Sequence, residues 1–489
     1  MGKDGNIVAA LRVAVRRVAM AVPICLMLAL VLGAAALLSR WCQEVRGEGA
    51  VTGPSMATAY AGEPSPARRF TASLDYTSIA APGDGRVASN VTWDDAWFLA
   101  DPVSYNHELA RTSSVLAALA YSESGYYQVG STQPAYMEDA LAALGFQDVS
   151  TESYRYRSEV VDEVLNLFTG DSDSVAYAIA RKRLHTGEGA APRDVILVSI
   201  RGSYGSEWLS NLDLMPEEGE EAASARQVEA GLAPEDAEAA VKASPASGSS
   251  QESPAAGDHR GYSRACAEIC GQLERWVSAS LEAGSEVSVL LTGHSRGGAI
   301  ANLVAAELDD AAARSSKSAS DRLSALSRVS AVYAYAFASP ATTTSASAQD
   351  ACYGNIFNIV NPSDIMPYLP LRSWGYDRYG RNLYLPTVGS DGFAARHAAM
   401  RDAYAETVGA ESSYDPRDEQ AIGLTLEAVS RQVATARDLM TPAGVAAAVA
   451  SCATHIDPVR ILYGHYPSTY IAWMDVLEAD ELTGELTGE

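Results

Sequence analysis

One stretch constrains this chain more than any other: Val287-Ser-Val-Leu-Leu-Thr-Gly293-His-Ser295-Arg-Gly297-Gly298. An apolar strand-like run ends at Leu291, and a helical pattern, Ala299-Ile-Ala-Asn-Leu-Val-Ala-Ala-Glu-Leu308, follows Gly298. A backbone that passes from strand to helix within so few residues turns sharply, and flanking side chains would meet neighbouring backbone. Glycine at positions 293 and 297 answers that constraint. The turn exposes the Ser295 hydroxyl beside a helix N-terminus, where backbone N–H groups and the helix dipole favour negative charge. The five-residue pattern G-x-S-x-G recurs by chance in unrelated chains. The strand before it and the helix after it give it meaning.

The surrounding sequence repeats the same rhythm. Val195–Ile200, Val287–Leu291, Ser330–Phe337 and Asn355–Val360 read as short strands, with helical patterns at 263–283 and 298–313 between them. Strands that alternate with helices predict an α/β fold, with a mostly parallel central sheet covered by helices on both faces. Earlier in the chain, His107–Tyr121 has apolar residues at helical spacing, and Met137–Leu144 extends that helical start. We place the globular domain at 91–478, after a stalk or loosely ordered lead-in at 39–90 that is rich in Ala, Gly, Pro, Ser and Thr. The terminal 479–489, which repeats Glu-Leu-Thr-Gly, reads as a flexible tail.

Charge is concentrated. The chain carries a formal −25, and ten acidic against two basic residues fall between Glu217 and Asp258. That stretch has almost no large apolar side chains and cannot offset its ordering entropy, so 217–258 reads as a disordered acidic insertion in the domain. So acidic a chain repels phosphate backbones, which excludes nucleic acid as a partner. No nucleotide-binding glycine loop or metal motif is present, so no cofactor is expected. No obligate protein partner is evident either. Of six cysteines, Cys25 and Cys42 lie in or beside an apolar run, and Cys266 and Cys270 stand four apart on one predicted helix, where disulfide geometry is poor. Cys352 and Cys452 remain, and whether they pair is left open.

A serine hydroxyl needs a base, and in such folds the acid and then the histidine follow the serine along the chain. Of seven histidines, only His397, His455 and His465 lie beyond the Gly293–Gly297 turn. His397, in an alanine-rich helical stretch, reads as a surface residue. For the acid, a carboxylate just past a later strand is required, and Asp364 follows Asn355–Val360 in Asn361-Pro-Ser-Asp364-Ile-Met-Pro-Tyr-Leu-Pro370.

Together these pieces resemble the class 3 lipase family, an α/β-hydrolase group that includes the fungal triacylglycerol lipases. Four segments between about His107 and Asp475 carry the resemblance. Gly293-His-Ser-Arg-Gly-Gly-Ala-Ile-Ala301 is similar to the family's nucleophile motif, with Arg296 where leucine is usual. Asp364–Pro370 resembles its acid motif, Arg201-Gly202-Ser203 its oxyanion segment, and Gly464-His465-Tyr-Pro-Ser-Thr-Tyr470-Ile-Ala-Trp-Met474 its histidine segment. The resemblance implies Ser295, Asp364 and His465 as a catalytic triad, with Ser203 and the backbone N–H of Arg296 as the oxyanion hole; His455 is the runner-up base. The Arg296 side chain is expected to lie over the surface. Trp208–Pro216 occupies the place of the family's lid, and an ordinary core helix is the competing reading.

The implied activity is that of a serine ester hydrolase, a lipase or carboxylesterase acting on a lipid or small ester. Phospholipase A1-type or acyltransfer chemistry on envelope lipids is the alternative, and a non-catalytic binding module of the same fold a further one. The run Val18–Leu38 has no charge over 21 residues. At roughly 1.5 Å per residue it spans about 30 Å, a bilayer's hydrocarbon thickness. Lys3, Arg12, Arg16 and Arg17 precede it, so a cytoplasmic N-terminus at 1–17, a transmembrane anchor at 18–38 and an extracytoplasmic domain are expected. Secretion after cleavage near Ala59-Tyr60-Ala61 is the alternative.

Overall fold

Strands buried on both faces form the centre of the molecule. In chain order the strands are β1 (Ser65–Pro66), β2 (Arg69–Thr77), β3 (Arg86–Asp94), β4 (Asp148–Ser150), β5 (Tyr177–His185), β6 (Arg193–Ile200), β7 (Glu286–His294), β8 (Ala331–Phe337), β9 (Ile356–Val360) and β10 (Arg381–Tyr384), of which β5 to β9 are buried on both faces. The computed structural model describes residues 63–128, 135–155, 175–202, 257–258, 260–317, 324–439, 441–457 and 460–484. All of these belong to one unit, Met56–Ser158 with Asp173–Glu489; a second unit, Met1–Ser55 with Glu159–Ser172, lies outside the described residues. The expected anchor 18–38, the lead-in up to residue 62, Ser203, the Trp208–Pro216 segment and residues 217–256 also lie outside them. Among the described residues no helix is long and apolar enough to cross a membrane.

The main sheet runs β1-β5-β6-β7-β8-β9-β10, with β4 added on β5. Strands β6 to β10 are parallel to one another, while β5 is antiparallel to β6. Their β-branched and leucine content suits strands covered on both sides. Leu197, Leu290 and Tyr333 face one core, packed with the buried side of α1 (His107–Gln128). Ile196, Val198, Val289 and Leu291 face the other, against α2 (Arg260–Glu282) and α3 (Arg296–Lys317). Each such aliphatic side chain, fully buried, contributes about 1.5–3 kcal/mol. This is the α/β architecture expected, and its register decides where a site can form. Ile200 pairs with Gly293, His294 with Phe337, and Phe337 with Ile359, so β6, β7, β8 and β9 end level. The loops leaving those four carboxyl ends therefore emerge side by side.

Three expectations need correction. Within the stretch read as a loose lead-in, residues 69–90 belong mostly to an antiparallel hairpin of β2 and β3, paired from Arg69–Asp94 to Thr77–Arg86. Its inward positions include Phe70, Ala72, Leu74 and Tyr76 on one strand and Val87, Ser89, Val91 and Trp93 on the other. The period-2 alternation is present, but alanine and serine at inward positions dilute it. The flexible tail is in part docked: Leu482 is buried, Arg396 pairs with Glu481, and Thr483 exchanges backbone hydrogen bonds with Tyr384. His397 is half-buried rather than superficial, stacked between Phe393 and Trp473. Cys352 and Cys452 are both free thiols, as are Cys266 and Cys270, whose sulfurs stand 4.0 Å apart.

Strand β5 carries Arg181, Lys182 and Arg183 in succession, all buried. Arg181 pairs with Asp148 at 2.6 Å, Lys182 with Asp95 at 2.6 Å, and Arg183 makes a two-pronged contact to Asp194 at 2.7 and 2.9 Å. Lys182 Nζ also donates to the Leu144 carbonyl at 2.9 Å, and Asp95 accepts from Trp93 Nε1 and the Arg68 amide. Removing one partner of a buried pair strands the other charge, so Lys182→Met is expected to lower the unfolding free energy by about 3–5 kcal/mol. Urea denaturation measures this, and adding Asp95→Asn is expected to recover part of the loss; an unchanged midpoint in the single variant contradicts the account.

Glu123, on α1, is buried with one oxygen accepting the Met137 amide at 2.8 Å and the other without a partner among the described residues. Burial raises its pKa from 4.5 to about 7. The folded state therefore holds this proton more tightly than the unfolded chain, and the carboxyl costs stability as pH rises from about 4.5 to about 7. Glu123→Gln is expected to match wild type near pH 4 and to melt progressively higher than wild type across that window. A difference in melting temperature that does not grow with pH contradicts this.

Candidate active site

Glycines at the end of β7 permit the turn that the sequence implies. A Cβ on Gly293 would lie 2.4 Å from the Gly297 carbonyl carbon, one on Gly297 2.2 Å from the Ile200 oxygen, and one on Gly298 2.9 Å from the Phe337 oxygen. Helix α3 thus begins against the ends of β6 and β8 with no room for a side chain. Ser295 sits at the apex with φ 58°, a left-handed conformation that costs a non-glycine residue about 1–2 kcal/mol. Its amide donates to the Phe337 carbonyl at 2.9 Å, and its carbonyl accepts from Ala299 at 3.0 Å.

The acid arrives from the neighbouring strand end. Asp364 follows β9, is fully buried, and accepts the Met366 amide on Oδ1 at 3.0 Å and the Tyr470 hydroxyl on Oδ2 at 2.8 Å. Asn361 supports the same loop. Its Nδ2 donates to the Gly464 carbonyl at 2.8 Å, its amide donates to the Tyr470 hydroxyl oxygen at 3.2 Å, and Tyr414 donates to its Oδ1 at 3.3 Å. Gly464 matters for closeness: a Cβ there would stand 2.2 Å from the Ser363 carbonyl oxygen.

His465 ends the short helix α4 (Ile461–His465) and lies between the two. Its Nδ1 is 2.8 Å from Asp364 Oδ2 and its Nε2 is 3.0 Å from Ser295 Oγ. An acceptor-only carboxylate assigns the proton to Nδ1, leaving Nε2 to accept from the serine hydroxyl. The structure therefore brings Ser295, Asp364 and His465 into one hydrogen-bonded line. His455 and His397 are not part of it; His455 ends the helix Pro442–His455.

Residues without a sequence assignment surround the line. The His294 ring lies 4.7 Å from that of His465, tilted by 49°, and its Nδ1 is 3.0 Å from the Tyr121 hydroxyl. Burial, and after it the His465 charge, holds the His294 pKa well below the usual histidine range, so this ring stays neutral. A Cβ on Gly202 would meet the Tyr121 hydroxyl at 2.1 Å and the His294 carbonyl at 2.4 Å, so the Arg201-Gly202 segment passes directly beside the Ser295 turn. Arg296 opens α3; its side chain was expected over the surface, yet the residue is buried at 8% exposure, since the tight turn sets the first residue of α3 within the molecule. Tyr470 had a signal, lying in the histidine segment. Tyr121 and Asn361 had none that residue type alone supplies. Among the described residues no group of three or more His, Cys, Asp or Glu side chains is arranged to hold a metal ion.

Residues 197–374 match the family model of the class 3 lipases. The matched lipase stretch begins inside β6 and ends beyond the loop of Asp364, so it contains Ser203, Ser295, Arg296 and Asp364 while His465 lies outside it. The match supports lipase-type ester hydrolysis. Among solved structures, the Rhizomucor miehei lipase in its propeptide complex is 19% identical at TM-score 0.33, over 58% of this chain and 70% of that one. The lipase of Rhizopus microsporus var. chinensis is 16% identical at TM-score 0.31, over 64% and 82%. A triacylglycerol lipase with a serine protease triad as its catalytic centre is 16% identical at TM-score 0.32, over 58% and 82%. No curated protein matches the chain.

Tyr470→Phe removes one donor to Asp364 and the acceptor of the Asn361 amide. A hydrogen bond to a charged carboxylate is worth about 1.5–3 kcal/mol, so labelling of Ser295 by a fluorophosphonate is expected to slow at least about tenfold with the fold intact. Labelling at the wild-type rate contradicts the positioning role given to the hydroxyl.

Proposed function

We propose that this chain is a serine ester hydrolase that cleaves acyl esters of lipids through an acyl-enzyme on Ser295. One observation carries the reading: the His465 imidazole stands at hydrogen-bond distance from both the Ser295 hydroxyl and the Asp364 carboxylate, 3.0 and 2.8 Å away. A free serine hydroxyl is a weak nucleophile, and a base positioned in this way is what activates it.

The geometry supports the following steps. Ser295 Oγ attacks the ester carbonyl while His465 Nε2 takes its proton, and the carbonyl oxygen becomes an oxyanion. Asp364 accepts the Nδ1 proton in a hydrogen bond and stabilises the imidazolium. The oxyanion is received by the backbone N–H of Arg296, at the start of α3, and by Ser203, where the helix N-terminus favours negative charge. His465 then protonates the departing alcohol. Water, deprotonated by the same imidazole, attacks the acyl-enzyme, releases the carboxylic acid and restores Ser295. No cofactor takes part in any step.

The reading includes a membrane-held enzyme. The uncharged run Val18–Leu38 with basic residues before it supports a single-pass anchor, which would keep the hydrolase domain outside the cytoplasm and close to lipid. Removal of that run by signal cleavage would give a secreted enzyme instead, and intact mass of the exported chain separates the two.

The catalytic test is the Ser295→Ala variant. Removing a triad nucleophile costs about 10⁶-fold in kcat, so the variant is expected to show no measurable hydrolysis of a short-chain ester and no fluorophosphonate labelling, with an unchanged circular dichroism spectrum. Undiminished turnover in the folded variant refutes the assignment.

A further inference from the structure

The nucleophile's turn and the acid's loop leave the sheet from different strands, and a buried side chain outside the proposed reaction steps fastens them together. Arg378, three residues before β10, is only 6% exposed. Its Nη1 donates to the Ser339 carbonyl at 3.0 Å and also to the Pro367 carbonyl, while Nε donates to Asn382 Oδ1 at 3.0 Å. These partners are two backbone carbonyls and an amide oxygen, all neutral. Burying a guanidinium against neutral groups is costly, and burial duly lowers its pKa from the usual arginine value.

The two carbonyls belong to the two limbs of the site. Ser339 stands two residues past Phe337, whose carbonyl holds the Ser295 amide at 2.9 Å. Pro367 stands three residues past Asp364. Next to Arg378, the Tyr379 carbonyl accepts from Asn302 Nδ2 at 2.7 Å and Asn358 Nδ2 at 2.9 Å, and the Tyr379 amide donates to Asn302 Oδ1 at 3.2 Å. Asn302 lies on α3, the helix that Ser295 precedes. The Arg378-Tyr379 segment is thereby bonded to the nucleophile's helix, to the exit of β8 and to the acid's loop at once.

We propose that Arg378 is a positioning residue, whose forked contact to Ser339 and Pro367 holds the Asp364 loop at the separation from the Ser295 turn that one imidazole can span. The proposal rests on the hydrolase reading above. It differs from a stabilising role in what it predicts for rate: a stabilising contact changes melting temperature, whereas a positioning contact changes the chemistry of folded molecules.

The test uses the full chain and two variants, Arg378→Met, which keeps the volume and removes the donors, and Arg378→Lys, whose ammonium can hold one carbonyl without the fork. Melting temperature, the rate of Ser295 labelling by a fluorophosphonate, and kcat and KM for a short-chain ester are measured well below each variant's own midpoint. Displacement of a triad member by about 1 Å costs about 10²-fold, so Arg378→Met is expected to lose about that much in labelling rate and kcat with KM little changed. Arg378→Lys is expected to fall between it and wild type. If Arg378→Met does not fold, an intermediate labelling rate in Arg378→Lys supports the role and a wild-type rate overturns it. Wild-type rates in folded Arg378→Met overturn the positioning role alone. A wild-type chain that neither labels nor hydrolyses ester overturns the hydrolase reading and this role with it.

Discussion

The site depends on a backbone contact at Gly297, where the first turn of α3 rests on the carbonyl end of β6. Any side chain there would fall 2.2 Å from the Ile200 oxygen, so the approach exists only because the residue has none. The contact has two consequences. It drives Ser295 into a left-handed conformation that lifts its hydroxyl clear of the sheet, at a local cost offset by the hydrogen bonds to Phe337 and Ala299. It also sets the Arg201-Gly202 exit of β6 beside the nucleophile, with Gly202 against the His294 carbonyl. The Ser295 turn and the Arg201-Gly202 segment are therefore placed by one packing event between two strands.

A second constraint acts away from the chemistry, in the three buried cations of β5. Side chains alternate along a strand, so Arg181 and Arg183 point to one face and Lys182 to the other. Arg181 lies over the Trp276 ring at 5.1 Å and pairs with Asp148 of β4, Arg183 pairs with Asp194 of β6, and Lys182 enters the β2–β3 hairpin between Asp95 and the rings of Phe70 and Trp93. A slip of one residue would present each cation to the wrong face, where these carboxylates are absent. The pairs thus penalise register errors as hydrophobic alternation does elsewhere, and they attach the N-terminal hairpin to the sheet.

What could be read from the sequence follows the same physics. Strands β6 to β9 were legible because burial on both faces demands continuous apolar runs, and the Ser295 turn because steric crowding demands glycines at fixed spacing. Asp364 was legible through its place just after a strand. The choice of His465 over His455 and His397 came only from resemblance to a family, since 170 residues separate it from Ser295 and local pattern carries no information across such a gap. β5 was missed because its charged residues break the apolar pattern, and their partners are set by tertiary pairing. The β2–β3 hairpin was missed because small residues at inward positions look like linker composition. Tyr121, Asn361 and Arg378 act through contacts made only once distant segments meet, so residue type gave no hint of them.

The electrostatics of the line have a direction. When His465 gains a proton, the resulting imidazolium finds a fully buried carboxylate at Nδ1 and, against its ring, an imidazole that burial keeps uncharged. Were His294 protonated, two like charges would stand with ring centroids 4.7 Å apart, and proton transfer from Ser295 would be opposed at its most demanding moment. Desolvation of His294 removes that opposition without a compensating charge. Tyr470, which donates to Asp364 and packs edge-on to His294 at 5.6 Å, is buried together with both. In the proposed reaction a residue beside Ser295 would therefore aid the proton transfer by remaining neutral, and its environment, more than its identity as histidine, is what keeps it so.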